Sequence, residues 1–460
     1  MAELIKQSEN NNDADYALVA DDVNAVLEAV EAGAAGQLAA LLDQLHAADI
    51  ADLLEQIPAT ARVDLLQLWA GKMDGEVLSE LNEGLREEVL EHLDSNIVAE
   101  AVSDLETDDV VDLLEDMDSV QSAAVMAALD EGDRAAVEQS MSYPDDSAGR
   151  LMQRKVVVAP EHWDVGQAID FLRNRDDLPE QFYHLILVDP RYHPVGYVTL
   201  GKLMASRRSV PLVNIVEDSF RVIPADQDEE DVAYAFNQYH LISAPVVDET
   251  DRLVGVITID DAMAVLDEEA QEDILRLAGV GDENLSDSPL AIAWARFPWL
   301  FVNLVTAIAA SLVISLFAGT ITQLVALAVL MPIVASMGGN AGTQSLTVAV
   351  RALATRDLTS ANASRVVMRE VLAGLVNGGV FAIVMGIIGV VWFGTPMLGI
   401  VIGIAMILNL GVAALAGVLV PLGLEKAGVD PALASGAFVT TVTDVVGFFV
   451  FLGLATVMLF

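Results

Sequence analysis

Two stretches of this sequence, 297–350 and 371–424, each run for 54 residues without Asp, Glu, Lys or Arg. A helix that is apolar all round cannot face water, so these stretches must lie in a membrane or a very large core. A membrane-spanning helix takes roughly 20 apolar residues, so each stretch holds two helices and a turn. Residues 431–460 carry a single charge, Asp444, and fit one more span. The expectation is a five-helix α transmembrane domain over 297–460, with helices near 298–318, 323–350, 369–393, 398–421 and 433–458. The flanking bases, Arg296, Arg351, Arg356, Arg365, Arg369 and Lys426, fall on one side of such a bundle, while the alternate loops AGTIT (318–322) and FGTPML (393–398) carry no charge. The positive-inside rule makes the basic side cytoplasmic and the C-terminus external. The start, MAELIKQSENNNDADYA, has neither a basic n-region nor an apolar h-region, which agrees with a cytoplasmic N-terminus.

The rest of the chain is acidic. Of 23 basic and 68 acidic residues, five of each lie from 297 onward, leaving 18 basic and 63 acidic in residues 1–296. Such a field argues against nucleic acid as a partner and for cations. A saline habitat would account for the same charge. The absence of cysteine removes thiolate metal sites and disulfides.

Within this acidic region, residues 1–17 read as a disordered N-terminus and 18–142 as a helical N-domain. ADIADLLEQI, ATARVDLLQLWA, LREEVLEHL and DDVVDLLEDM place Leu, Ile and Val at helical spacing, and the recurring pairs suggest a small superhelix. After Tyr143 the pattern changes to strands, expected at 155–159, 184–189 and 195–199, with a helix around 164–174. A second set follows at 220–223, 244–248 and 253–259, with a helix over 229–240. VDPRYHPVGYVTLGKLM and VDETDRLVGVITIDDAM match segment by segment. They resemble a tandem pair of α/β CBS domains, here 143–212 and 213–259, modules that commonly bind ATP or another adenine nucleotide. In the second copy Gly255, Thr258 and Asp261 fit the nucleotide pattern, with the hydroxyl for phosphate and the carboxylate for ribose. In the first, Lys202 stands where that Asp would be.

An acidic connecting helix, about 260–278, opens a connecting segment (260–296) that leads to the membrane. Glu269, Glu272 and Asp273 share one of its faces and repel one another. Asp444 is the one acid expected deep inside a span, and an intramembrane carboxylate usually marks a pathway or a partner. Thr440, Thr441 and Gly447 lie beside it on a helix. The expected second span holds MPIVASMGGNAGTQSLT, whose glycines allow close packing or exposed carbonyls. Asn340, Thr343, Thr440 and Thr441 are the candidate pore-lining groups. Carboxylate, hydroxyl and carbonyl oxygens without Cys form a hard-ligand set suited to Mg²⁺. Since Mg²⁺ releases water reluctantly, a hydrated ion is the expected cargo.

YPDDSAGRLM (143–152), GGNAGTQS (338–345) with RALATRDL (351–358), and GVDPALASG with TTVTD (428–436, 440–444) closely resemble the MgtE family of magnesium channels, and the likeness covers nearly the whole chain. One departure is Ala437, where many relatives would carry proline. The resemblance implies a homodimer in the cell (inner) membrane, with the pore on its axis and Asp444 of each copy facing the ion. It also implies regulatory Mg²⁺ bound between the N-domain, the CBS domains and the connecting helix, holding the channel shut. Asp108 and Asp112 in ETDDVVDLL match the N-domain side; Asp261, Glu269, Glu272 and Asp273 match the other. Asp261 thus has two candidate roles, ribose ligand and metal ligand. A sodium-coupled divalent-cation exchanger and a non-transporting Mg²⁺ or nucleotide sensor are the alternatives. No nucleophile–base arrangement suggests an enzyme.

Overall fold

The computed structural model describes residues 18, 20–69, 73–103, 105–175, 178–179, 182–217, 220–280, 289–433 and 436–460. The expected disordered segment 1–17 lies outside them. The chain forms two compact units, one ending at Glu269 and the other starting at Ala270.

The first unit begins with ten described helices, from Ala20–Glu31 to Glu131–Ser140. They are short because side chains stop and start them. Asp74, Asn82, Asp118 and Asp130 each accept a backbone N–H at a helix start. Their inner faces build one core around Leu38, Leu53, Leu54, Leu65, Leu78 and Val89. Two buried arginines repeat one job along this stack. Arg62 donates to the carbonyls of Leu54 and Ile57, at the end of one helix, and pairs with Glu88 at 2.7 Å. Arg86 donates to the carbonyl of Leu81 and pairs with Asp112 and Asp116 at 2.6 and 3.0 Å. Each arginine satisfies carbonyls left open by a helix end, then reaches an acid 26 residues further on. This is the recurrence that spacing alone left irregular. Arg62 is 1% exposed. Arg62→Ala should therefore destabilise the N-domain by about 3 kcal/mol, read as a lowered thermal midpoint.

The CBS pair follows as two copies of one module. β1 (Val158–Pro160), β2 (His184–Val188) and β3 (Pro194–Thr199) form one sheet; β4 (Ile223–Pro224), β5 (Ser243–Val247) and β6 (Leu253–Thr258) form the other. In both, the first pairing is parallel and the second antiparallel, with an irregularity one residue before the middle strand ends. The parallel pairing needs a crossover, supplied by helices Val165–Arg173 and Glu229–Tyr239. Asp189 and Asp248 end the middle strands and accept two backbone N–H groups each from the following turn, which explains the repeated Val-Asp. β1 and β4 start three residues later than expected. Gln153 instead bridges to Val256 of the other module, so the stretch before β1 serves the joint between modules. His184 of β2 hydrogen-bonds Ser243 of β5 at that joint.

The second unit holds five helices long and apolar enough to cross a membrane: Ile292–Leu316, Ala326–Ala354, Ala363–Phe393, Pro396–Lys426 and Gly436–Leu459, here spans one to five. Spans two, four and five make its core, with Leu327, Leu330, Ile402, Met406, Phe451 and Leu452 buried. Span one is largely exposed. Two expectations change. AGTIT is not an open loop but part of a short helix, Ala318–Gln323, held by Thr320 bonding Thr456 at 2.8 Å. Span three starts at Ala363 rather than 369, so Asp444 is not the only acid inside a span; Glu370 lies two turns into span three.

Candidate functional site

In the first unit, Asp108 and Asp109 open the helix Thr107–Glu115, whose free N–H groups favour negative side chains. Its apolar residues Val110, Val111, Leu113 and Leu114 anchor it in the core. Asp108 is only 7% exposed, and its Oδ1 is buried with no hydrogen-bond partner. Burial first, then Asp261 and Asp109, push its carboxyl well above the ordinary range. Asp109 is pushed up to about 7 by burial and by Asp261, Asp112, Glu106 and Glu80. Asp261 is pushed up to about 6, mainly by burial, although the Thr258 hydroxyl donates to its Oδ2 at 2.6 Å. Asp108 and Asp109 thus lie within electrostatic reach of Asp261 and of each other, and all three are partly or fully buried. Such a set takes up protons or a cation. The orphaned Asp108 oxygen and the all-oxygen donors fit Mg²⁺, which needs only one or two carboxylates while it keeps its waters. Among the described residues no group of three or more His, Asp or Glu is close enough to hold a metal ion by itself.

Asp112 is placed differently, with one oxygen on Arg86. Glu269 adds to a second acidic gathering in this unit: Glu229 is pushed up to about 7 by burial and by Asp146, Glu268, Glu269 and Asp228. The connecting helix is continuous from Ile259 to Ala278. In the second unit, Arg276 binds both Glu272, one turn back, and Asp430, before span five. Asp273 is raised by burial and then by Asp430. Leu277 packs with Ala432 and Val439, which ties the end of this helix to the start of span five.

Thr258 and Asp261, the candidate nucleotide ligands, bond each other, since Asp261 also accepts the Thr258 N–H at 3.2 Å. Asp261 thus caps the start of the connecting helix. In the first module Thr199 and Lys202 both bind Glu217, at 3.2 and 2.9 Å.

In the membrane unit, spans two and five lie side by side: a Cβ on Gly339 would stand 3.3 Å from Thr440. The GGNAG segment and TTVTD are thereby brought together. Asn340 and Thr343 are exposed; Thr440, Thr441 and Asp444 are half-buried. The Thr343, Thr440 and Thr441 hydroxyls donate to carbonyls of their own helices, at Gly339 and Ala437. These bonds let polar groups sit at membrane depth. Sequence reasoning missed Asp109, the neighbour of Asp108 in the same motif, and Glu370, which accepts from Ser345 of span two at 3.3 Å. It also missed Asn409, although a lone amide in an apolar span was a visible signal.

Apolar spans that hold carboxylates, in a chain that also gathers carboxylates outside them, fit an integral membrane transporter of cations. Family models agree: a divalent cation transporter model matches residues 331–454, an MgtE intracellular N domain model 45–146, and a CBS domain model 148–209 and 212–268. Magnesium transporters MgtE of Enterococcus faecalis and Thermus thermophilus are 36% and 35% identical, each over 69% of this chain and over 70% and 71% of their own lengths. The cytosolic domain of the Mg²⁺ channel MgtE, solved in complex with ATP, matches 53% of this chain and 99% of that one at 29% identity and a TM-score of 0.48. The chain belongs to the MgtE family of magnesium transporters.

Proposed function

We propose that the protein is a Mg²⁺ uptake channel of the inner membrane that cytoplasmic Mg²⁺ closes. Two copies would surround the pore, with Asp444 of each facing a hydrated ion and Asn340, Thr343, Thr440 and Thr441 lining the path. The N-terminus would be cytoplasmic and the C-terminus external, a reading that the loop arginines support.

The observation that carries the gating reading is the nearness of buried Asp108 to half-buried Asp261, with an Asp108 oxygen left free. Asp108 and Asp261 would hold the regulatory cation together with its waters, and its charge would offset their repulsion with Asp109. Without it the carboxylates push the N-domain and the CBS pair apart. That is a two-state arrangement which a ligand biases. Asp112, Glu269, Glu272 and Asp273 would add to the field around it. An adenine nucleotide at the CBS pair, with Thr258 as a contact, would have to separate Thr258 from Asp261 and so would compete with the cap of the connecting helix.

The test is current through reconstituted channels with cytoplasmic Mg²⁺ varied. Asp108→Asn with Asp261→Asn should raise the half-inhibitory Mg²⁺ about tenfold or more. Glu269→Gln with Glu272→Gln should move it the same way by less, because Arg276 already neutralises Glu272. Inhibition unchanged in both would sink the gating reading.

A further inference from the structure

We infer that Asn409, in the middle of span four, is a positioning residue for ion passage: its amide keys span five against span two and so sets the direction in which Asp444 points. This rests on the reading of Asp444 as the pore group.

Between Pro396 and Leu424 no other side chain is polar. Asn409 is 0% exposed. Its Nδ2 donates to the carbonyl of Val334 in span two at 2.9 Å, while its Oδ1 is buried without a partner. An amide oxygen left this way is costly, and an apolar side chain would fill the space without that cost. Packing alone therefore does not account for an amide here.

Two glycines, on two other helices, leave room for the same group. A Cβ on Gly338 of span two would stand 2.2 Å from Nδ2. A Cβ on Gly447 of span five would stand 2.8 Å from Nδ2 and 3.2 Å from Oδ1. Thr443, 0% exposed, closes the junction: its Cβ would be 3.2 Å from a Cβ on Gly338. Thr443 directly precedes Asp444, and Gly447 follows it by three residues. Each residue turns a helix by about 100°, so holding Thr443 and Gly447 toward Asn409 fixes the azimuth of Asp444. Asp444 is left at the edge of the three-helix junction, where it is half-buried rather than enclosed.

The test is Mg²⁺ uptake by the full chain in reconstituted vesicles, with external Mg²⁺ varied. Asn409→Ala should raise the KM for Mg²⁺ about tenfold, and Asn409→Leu, which keeps the bulk and loses the amide, should do the same. Gly447→Ala pushes a methyl into the amide and should also impair uptake. Adding Asn409→Ala to it should recover part of the loss, since the methyl then occupies vacated space. A residue that only filled space would lower the maximal rate through fewer folded molecules and leave KM alone. Wild-type KM in whichever of the two Asn409 variants folds, or no relief in the double variant, overturns the inference while Asp444→Asn remains inactive. Wild-type uptake by Asp444→Asn would instead overturn the pore reading on which it stands.

Discussion

Vesicles carrying Asp444→Asn are expected to take up Mg²⁺ about 100-fold more slowly than wild type, with the protein still folded and correctly assembled. Asn has the shape of Asp and keeps a polar head, so the packing of span five against spans two and four is undisturbed. Only the charge goes. A dication moved from water toward a low-dielectric interior meets a large penalty, which fixed negative charge near its path offsets. The neighbouring hydroxyls cannot replace that charge, because they already donate to Gly339, Ala437 and Thr440 carbonyls. Asp444→Glu should keep partial activity, with the charge present and displaced. Should Asp444→Asn transport normally, Glu370 is the next carboxylate to test, since Glu425 lies in the last turn of span four. Loss of uptake in Glu370→Gln would then move the ion site toward Ser345.

The second large effect concerns protons. Asp109 and Asp261 are pushed up to about 7 and about 6, and Asp108 is raised as well, against an ordinary value of 3.8. With raised values, the folded state holds more protons than the unfolded chain between about pH 4 and 7. In the absence of Mg²⁺, stability of the soluble region therefore falls as pH rises through that window and levels off above it. Mg²⁺ binding must displace the same protons. With Asp109 pushed up to about 7, the proposed gating predicts that Mg²⁺ inhibition weakens about tenfold through this residue alone as pH falls from 8 to 6. Recordings of inhibition at cytoplasmic pH 6, 7 and 8 should show that trend, and Asp108→Asn with Asp109→Asn should flatten it. A half-inhibitory Mg²⁺ independent of pH in the wild type would show that these carboxylates do not hold the regulatory cation.

The five spans were legible because lipid imposes a simple rule on composition. Their ends were less so. Span three extends back to Ala363 because Arg365, Arg369 and Glu370 are tolerated in its first turns, where a hydropathy argument stops counting. The CBS repeat was legible in the matching Val-Asp turns, since each Asp binds the backbone that follows it. The candidate metal residues were legible as an acidic surplus, but not which of them would meet. Asp112 looked equivalent to Asp108 on the helix; its partner Arg86 is 26 residues earlier, and nothing in the spacing announces that pair. Asn409 itself was visible as a lone amide, but its role was hidden for the opposite reason. Its role depends on Gly338 and Gly447, and two missing side chains on distant segments leave no mark beyond two glycines.

The ion-paired arginines outside the spans have a wider consequence. In a region with 63 acids and 18 bases, acidity identifies nothing, since almost every surface has it. The scarce bases carry the information. Arg62, Arg86, Arg150 and Arg276 each neutralise an acid that holds the architecture together: Glu88, Asp112 and Asp116, Glu115, and Asp430. At Asp108, Asp109 and Asp261 the largest charge effects among the described residues come from other carboxylates. In this chain the vacant seat of a base is a better guide to where a metal ion belongs than any concentration of acids.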